Sequence, residues 1–128
     1  MKLLLDAHIF LWYISGDKRL SDDKRASIQD LNNEVYLSVV SIWEAIIKYH
    51  LGKLQLPQPP EVYLPVQREK HQILSLTLDE KSVAHLAQLP SIHRDPFDRM
   101  MICQANVHGL MLMTDDEIIH KYPVQILK

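Results

Sequence analysis

Short apolar runs separated by polar, turn-rich segments give this chain its pattern. Lys2–Leu5 reads as a buried strand that ends at Asp6. Ala7–Tyr13 is apolar and begins a helix, which Ser15-Gly16-Asp17 breaks. Ser21-Asp22-Asp23 caps a second helix running toward Leu31, and Asn32-Asn33 ends it. Glu34–Val39 reads as the second strand. Ser41 caps a third helix with Glu44 at the capping-box spacing; the helix runs to Leu51, with Gly52 as its C-terminal cap.

The second half continues the alternation. Leu56–Pro60 is a proline-rich turn, and Glu61–Lys70 is a helix kinked or restarted at Pro65. Gln72–Leu76 is strand three. Thr77 or Asp79 caps a helix that ends near Leu89-Pro90. Asp95-Pro96 opens a helix that runs to about His108 and stops at Gly109. Leu110–Thr114 is strand four, Asp116–Tyr122 a short helix, and Val124–Leu127 a last strand. Strands alternating with helices predict an α/β fold with a central, mostly parallel sheet covered on both faces.

Length and composition narrow the class. The 128 residues fit one domain, 1–128, with no linker, repeat or low-complexity stretch. The 47% hydrophobic content supports a real core, and 23% charged residues is ordinary for a globular chain. A net charge of −2 and a pI near 6.4 exclude a general electrostatic binder of nucleic acid. A polyanionic substrate would need a local basic rim, for which Lys18, Arg19, Lys48, Lys53, Arg94 and Arg99 are the candidates. The single cysteine, Cys103, allows no intrachain disulfide and reads as a small buried apolar residue. There is no signal peptide or membrane-spanning run, so the expected location is cytoplasmic. Three glycines, at 16, 52 and 109, cannot build GxGxxG or a P-loop.

Four carboxylates change the picture. Asp6, Glu44, Asp98 and Asp116 each lie against an apolar run in a different part of the chain. A carboxylate carried into apolar surroundings is costly unless paired, hydrogen-bonded or bound to a cation. Asp6 and Asp116 follow strands, while Glu44 and Asp98 lie early on helices, so all four can reach the carboxyl edge of one sheet. Gathered there, they would bind a hard divalent ion such as Mg²⁺.

Each acid also has a simpler role open to it. Asp6 suits a helix N-cap. Glu44 can close a capping box with Ser41 or pair with Lys48. Asp95 is assigned mainly to capping and Asp98 to chemistry. Pattern alone does not choose between Asp115 and Asp116, and Thr114 can hydrogen-bond a carboxylate or a phosphate oxygen. The seven histidines form no HExxH and there is no cysteine pair for zinc; His8 and His93 read as structural or rim positions. Trp12 and Trp43 are assigned to the core.

Together these segments resemble the PIN-domain family, most closely VapC-type toxins of bacterial toxin–antitoxin pairs. The resemblance covers nearly the whole chain. It rests on LLLDAHIFLWYISGDKRLS at 3–21, SVVSIWEAIIKYHLGKLQLP at 38–57, HRDPFDRMMICQA at 93–105 and LMTDDEIIHKYPVQIL at 112–127. It implies a three-layer α/β/α sandwich and a Mg²⁺- or Mn²⁺-dependent endoribonuclease that uses metal-activated water. The family's four acids match Asp6, Glu44, Asp98 and Asp116, with Ser41 and Thr114 in support. The implied partners are RNA, a cognate antitoxin and a second copy of the chain. Ala7 departs from the pattern, standing where a hydroxyl-bearing residue is common.

Two rival readings remain. A haloacid-dehalogenase-like phosphatase wants an aspartate two positions after the first, where this chain has His8. A binding module of the same fold without activity is favoured by Ala7 and opposed by the four acids.

Overall fold

A computed structural model describes all 128 residues. Four strands, β1 (Lys2–Leu5), β2 (Glu34–Ser38), β3 (Leu74–Leu76) and β4 (Met111–Met113), form one sheet in the order β3-β2-β1-β4, with every pair parallel. Between them run α1 (Ala7–Ser15), α2 (Asp22–Gln29), α3 (Val39–His50), α4 (Pro60–Lys70), α5 (Glu80–His85) and α6 (Pro96–His108). Short 3-10 turns cover Leu86–Gln88 and Ile119–Lys121.

Alternate residues of β1 feed two separate cores. Leu3 and Leu5 pack with Ile9 and Phe10 of α1, Ile28 of α2, Ala45 of α3 and Leu64 of α4. Leu4 points the other way, toward Met101, Ile102, Cys103 and Ala105 of α6 and toward Leu112 and Ile119. This two-residue period places helices on both sheet faces. Each fully buried leucine contributes about 1.5–3 kcal/mol. Cys103 is a free, buried thiol, as expected.

The chain order creates the site's position. β2 and β3 are added to one side of β1, whereas β4 is added to the other. The strand order therefore reverses at β1, and ligands in open parallel sheets bind at the carboxyl ends of strands beside such a reversal.

Local chemistry moves several expected boundaries. α3 starts at Val39, because Ser38 is its cap and accepts from Val40 N–H at 3.0 Å. Ser41 therefore caps nothing, and Glu44 sits in the second turn rather than in a capping box. Val39 reads as the end of the strand from its β-branched side chain, but the Ser38 cap starts the helix there. α4 begins at Pro60 and continues through Pro65 without a restart. β3 loses Gln72 and Ile73 to the capping turn after α4, where Gln72 takes a positive φ of 58°. Asp79, not Thr77, caps α5.

Of the predicted helix over Asp116–Tyr122 only a 3-10 turn forms, because Pro123 leaves too little chain for a regular helix. The predicted last strand is reduced to a single parallel bridge between Leu112 and Ile126. Trp43 corrects another expectation. It is 56% exposed on α3, where it makes an edge-to-face contact with Phe97 at 5.0 Å. Trp12 is partly buried against the first core.

Candidate active site

β1 delivers Asp6 to the sheet edge, and the start of α1 holds it there. Asp6 Oδ1 accepts Ile9 N–H at 2.9 Å and caps the helix, while Oδ2 accepts the Thr114 hydroxyl. Only 7% of Asp6 is exposed. The Thr114 hydroxyl also accepts the backbone N–H of Asp116 at 3.1 Å. One side chain thus joins the ends of β1 and β4. Asp6 is both a cap and a cleft residue, so the two roles open to it coincide.

α3 supplies Ser41 and Glu44 from its buried face. Glu44 is 8% exposed and pairs with Lys48 one turn later, Oε2 to Nζ at 2.9 Å. α6 supplies Asp98. Asp95 caps α6 through Phe97 N–H and Asp98 N–H at 2.9 and 3.1 Å, which turns the Asp98 side chain into the cleft. Asp6, Ser41, Glu44, Lys48, Asp95, Asp98 and Asp116 line a single cleft of about 110 Å³. Larger hollows lie elsewhere. One of about 550 Å³ lies beside Lys24, Asp115 and Lys121, and one of about 380 Å³ lies by the amino ends of β2 and β3.

The cleft attracts positive charge. Burial, first of all, raises the Asp98 pKa to about 6; Asp95 and Glu44 add to the rise, and the His93 hydrogen bond opposes it. Burial works against the charge on Lys48. The hydrogen bond and charge of Glu44, with Asp95 and Asp98 behind, nevertheless hold its pKa above the usual lysine value. The one ammonium in the cleft is stabilised as a cation.

The donor set fits a hard divalent ion, being carboxylate oxygen throughout. The cleft has room for an ion with waters. However, no three acidic, histidine or cysteine side chains converge closely enough to form a ready cage. Glu44 is turned to Lys48, Asp98 to His93 and Asp6 to Thr114. Uptake of an ion therefore requires Glu44 to leave Lys48 and the acids to close inward.

The structure places other candidates differently. Asp115 is exposed and paired with Lys24 of α2, so Asp116 is the one of the two that faces the cleft. Arg99 is tied to Pro90 O at 2.8 Å and to the Tyr122 hydroxyl at 3.0 Å rather than free on the rim. Arg19 is held by Asp17 and lies over Trp12. Lys18, Lys53 and Arg94 remain exposed. Lys48 was expected on the rim but lies inside the cleft. His93 contacts Asp98 directly, Nε2 to Oδ2 at 3.1 Å, with Tyr122 behind it. Its five-residue spacing from Asp98 gave no periodic signal.

The PIN domain family matches residues 3–125 of the chain. Ribonuclease VapC16 of Mycobacterium tuberculosis is 38% identical over 64 residues, which are 50% of this chain and 45% of that protein. Ribonuclease VapC22 of the same organism is 27% identical over 123 residues, 94% of this chain and 93% of that protein. A chain in the crystal structure of VapBC2 from Rickettsia felis, bound to a DNA fragment from its promoter, superposes with a TM-score of 0.74. It covers 100% of this chain and 98% of that one at 16% identity, a likeness of fold.

Proposed function

The chain belongs to the PIN-domain family, and from that premise we propose that it is a Mg²⁺-dependent endoribonuclease, with Mn²⁺ as a substitute, acting as the toxin of a toxin–antitoxin pair. One observation carries this reading. Asp6, Glu44, Asp98 and Asp116, spread over 110 residues of chain, line one cleft at the carboxyl edge of a parallel sheet.

In this reading Asp6, Asp98 and Asp116 hold the ion, and Glu44 binds it or a water beside it. The bound ion would lower the pKa of water and offset charge on the scissile phosphate. Thr114 fixes Asp6 and the backbone of Asp116 in one orientation. Asp95 fixes the first turn of α6 and so the approach of Asp98. Lys48, once released by Glu44, can meet a phosphate oxygen.

Accessible single strands of folded RNA suit a cleft this narrow. The antitoxin is supported by the VapBC complexes whose chains share this fold. A second copy is the further expected partner. Trp43, Ile47 and Leu51 form an exposed apolar line along α3 and its end, which supports a protein contact there.

The test is cleavage of a purified RNA pool with Mg²⁺ and with chelator. Discrete RNA fragments that require the ion support the proposal. Intact RNA under both conditions overturns it, and phosphate release from a small ester alone would favour the phosphatase reading.

A further inference from the structure

The Tyr122 hydroxyl has one proton and two lone pairs. The backbone N–H of His93 approaches it at 3.1 Å, and Arg99 Nη1 approaches it at 3.0 Å. Both are donors, so they occupy the lone pairs. The hydroxyl proton must then go elsewhere, and His93 Nδ1 lies 2.7 Å away, whereas the alternative acceptor, His93 O, lies at 3.5 Å. His93 Nδ1 is therefore an acceptor. In the neutral ring the N–H falls on Nε2, which faces Asp98 Oδ2 at 3.1 Å.

Tyr122 is itself fixed. It is 4% exposed within the second core, its ring lies edge-on to His93 at 5.4 Å, and Arg99 is anchored to Pro90 O. Arg99 and Tyr122 thus lie behind His93 as a rigid support.

We infer that His93 is a positioning residue, locked by Tyr122 as the Nε2–H tautomer, that occupies Asp98 Oδ2 and leaves Oδ1 to face a cation. This rests on the reading of the cleft as a metal site. It gives the histidine of HRDPFDR a donor's role, neither ligand nor proton carrier, and gives the second arginine of that motif a role at the back of the network. Hydrogen-bonded supports of this type typically change metal affinity by 10–100-fold when removed.

Two measurements test it. Long-range ¹H–¹⁵N spectra of the full chain in chelator, at mildly alkaline pH, should show the His93 ring protonated at Nε2 and bare at Nδ1. A ring protonated at Nδ1 overturns the inference, whether or not the protein binds metal. Calorimetric titration with Mn²⁺ should show His93→Ala weakened about tenfold or more. His93→Gln, which keeps an N–H near the Nε2 position, should stay within a few-fold of the unsubstituted protein. The two variants should melt together in chelator, so that a difference between them reports the donor. Undiminished binding by His93→Ala, or equal weakness of both variants, overturns the inference. Failure of the unsubstituted protein to bind Mn²⁺ overturns the metal reading, and this inference with it.

Discussion

The Thr114 hydroxyl donates to Asp6 Oδ2 across 108 residues of chain while accepting the N–H of Asp116. It is 1% exposed, and its bond to Asp6 is shut off from water. Thr114→Val removes the hydroxyl at nearly constant volume and leaves the buried Asp6 carboxylate short of one partner, while the Asp116 N–H at the cleft edge also loses its acceptor. Chemical denaturation in chelator should show a loss of about 1–3 kcal/mol, and RNA cleavage should fall with it. Thr114→Ser should recover most of both.

Asp98→Asn separates chemistry from stability more cleanly than Asp6→Asn. The partly buried Asp98 carboxylate is disfavoured by its surroundings, and an amide oxygen can still accept from His93. Metal-free stability should hold or rise while cleavage is abolished. Asp6 accepts two hydrogen bonds through two oxygens, so its amide variant should lose about 1 kcal/mol as well as activity. Thermal melts in chelator beside an RNA assay read both effects.

Asp98 also predicts a pH response. Its folded pKa, about 6, lies above its ordinary value of 3.8. The folded state therefore binds the extra proton between these values. Its contribution to stability is fully present below about pH 4 and is lost as pH rises through 6. Urea midpoints of the unsubstituted protein, taken relative to Asp98→Asn in chelator, should fall across that window. Mn²⁺ affinity should run the other way and weaken below pH 6, because the ion needs the ionised carboxylate.

Lys48 holds the place of a cation against Glu44. Lys48→Gln leaves a nearly buried carboxylate without its partner, and the metal-free protein should lose about 1–2 kcal/mol, below the figure for a fully buried pair because Lys48 is partly exposed. The same change removes the competitor for Glu44. The rise in melting temperature on adding Mg²⁺ should therefore be larger in the variant than in the unsubstituted protein. An equal or smaller rise would show that Glu44 stays outside the metal site.

What could be read in advance follows how local the cause is. Asp95-Pro96 and Gly109 bound α6 by contacts within a turn, and Leu3-Leu4-Leu5 can only be a covered strand. Parallel alternation followed from those pieces. The Ser38 cap was hidden because Val39 looks like strand until the Ser38 hydroxyl accepts the Val40 N–H. Trp43 shows the limit of residue type, since an apolar side chain says nothing about which face of its helix stays uncovered. The His93 arrangement depends on Tyr122, 29 residues away. The Glu44–Lys48 pair is local and legible, but its place in one cleft with Asp95 and Asp98 is set by the packing of α3 with α6, which no window along the sequence contains.

The placement of β4 beside β1 bears on when the cleft is completed. The first strand must wait for residues 111–113 before its open side is covered, and Asp116 follows later still. A chain still on the ribosome therefore carries, at most, three walls of its cleft. The four acids therefore cannot share one cleft until the chain has been made past Asp116.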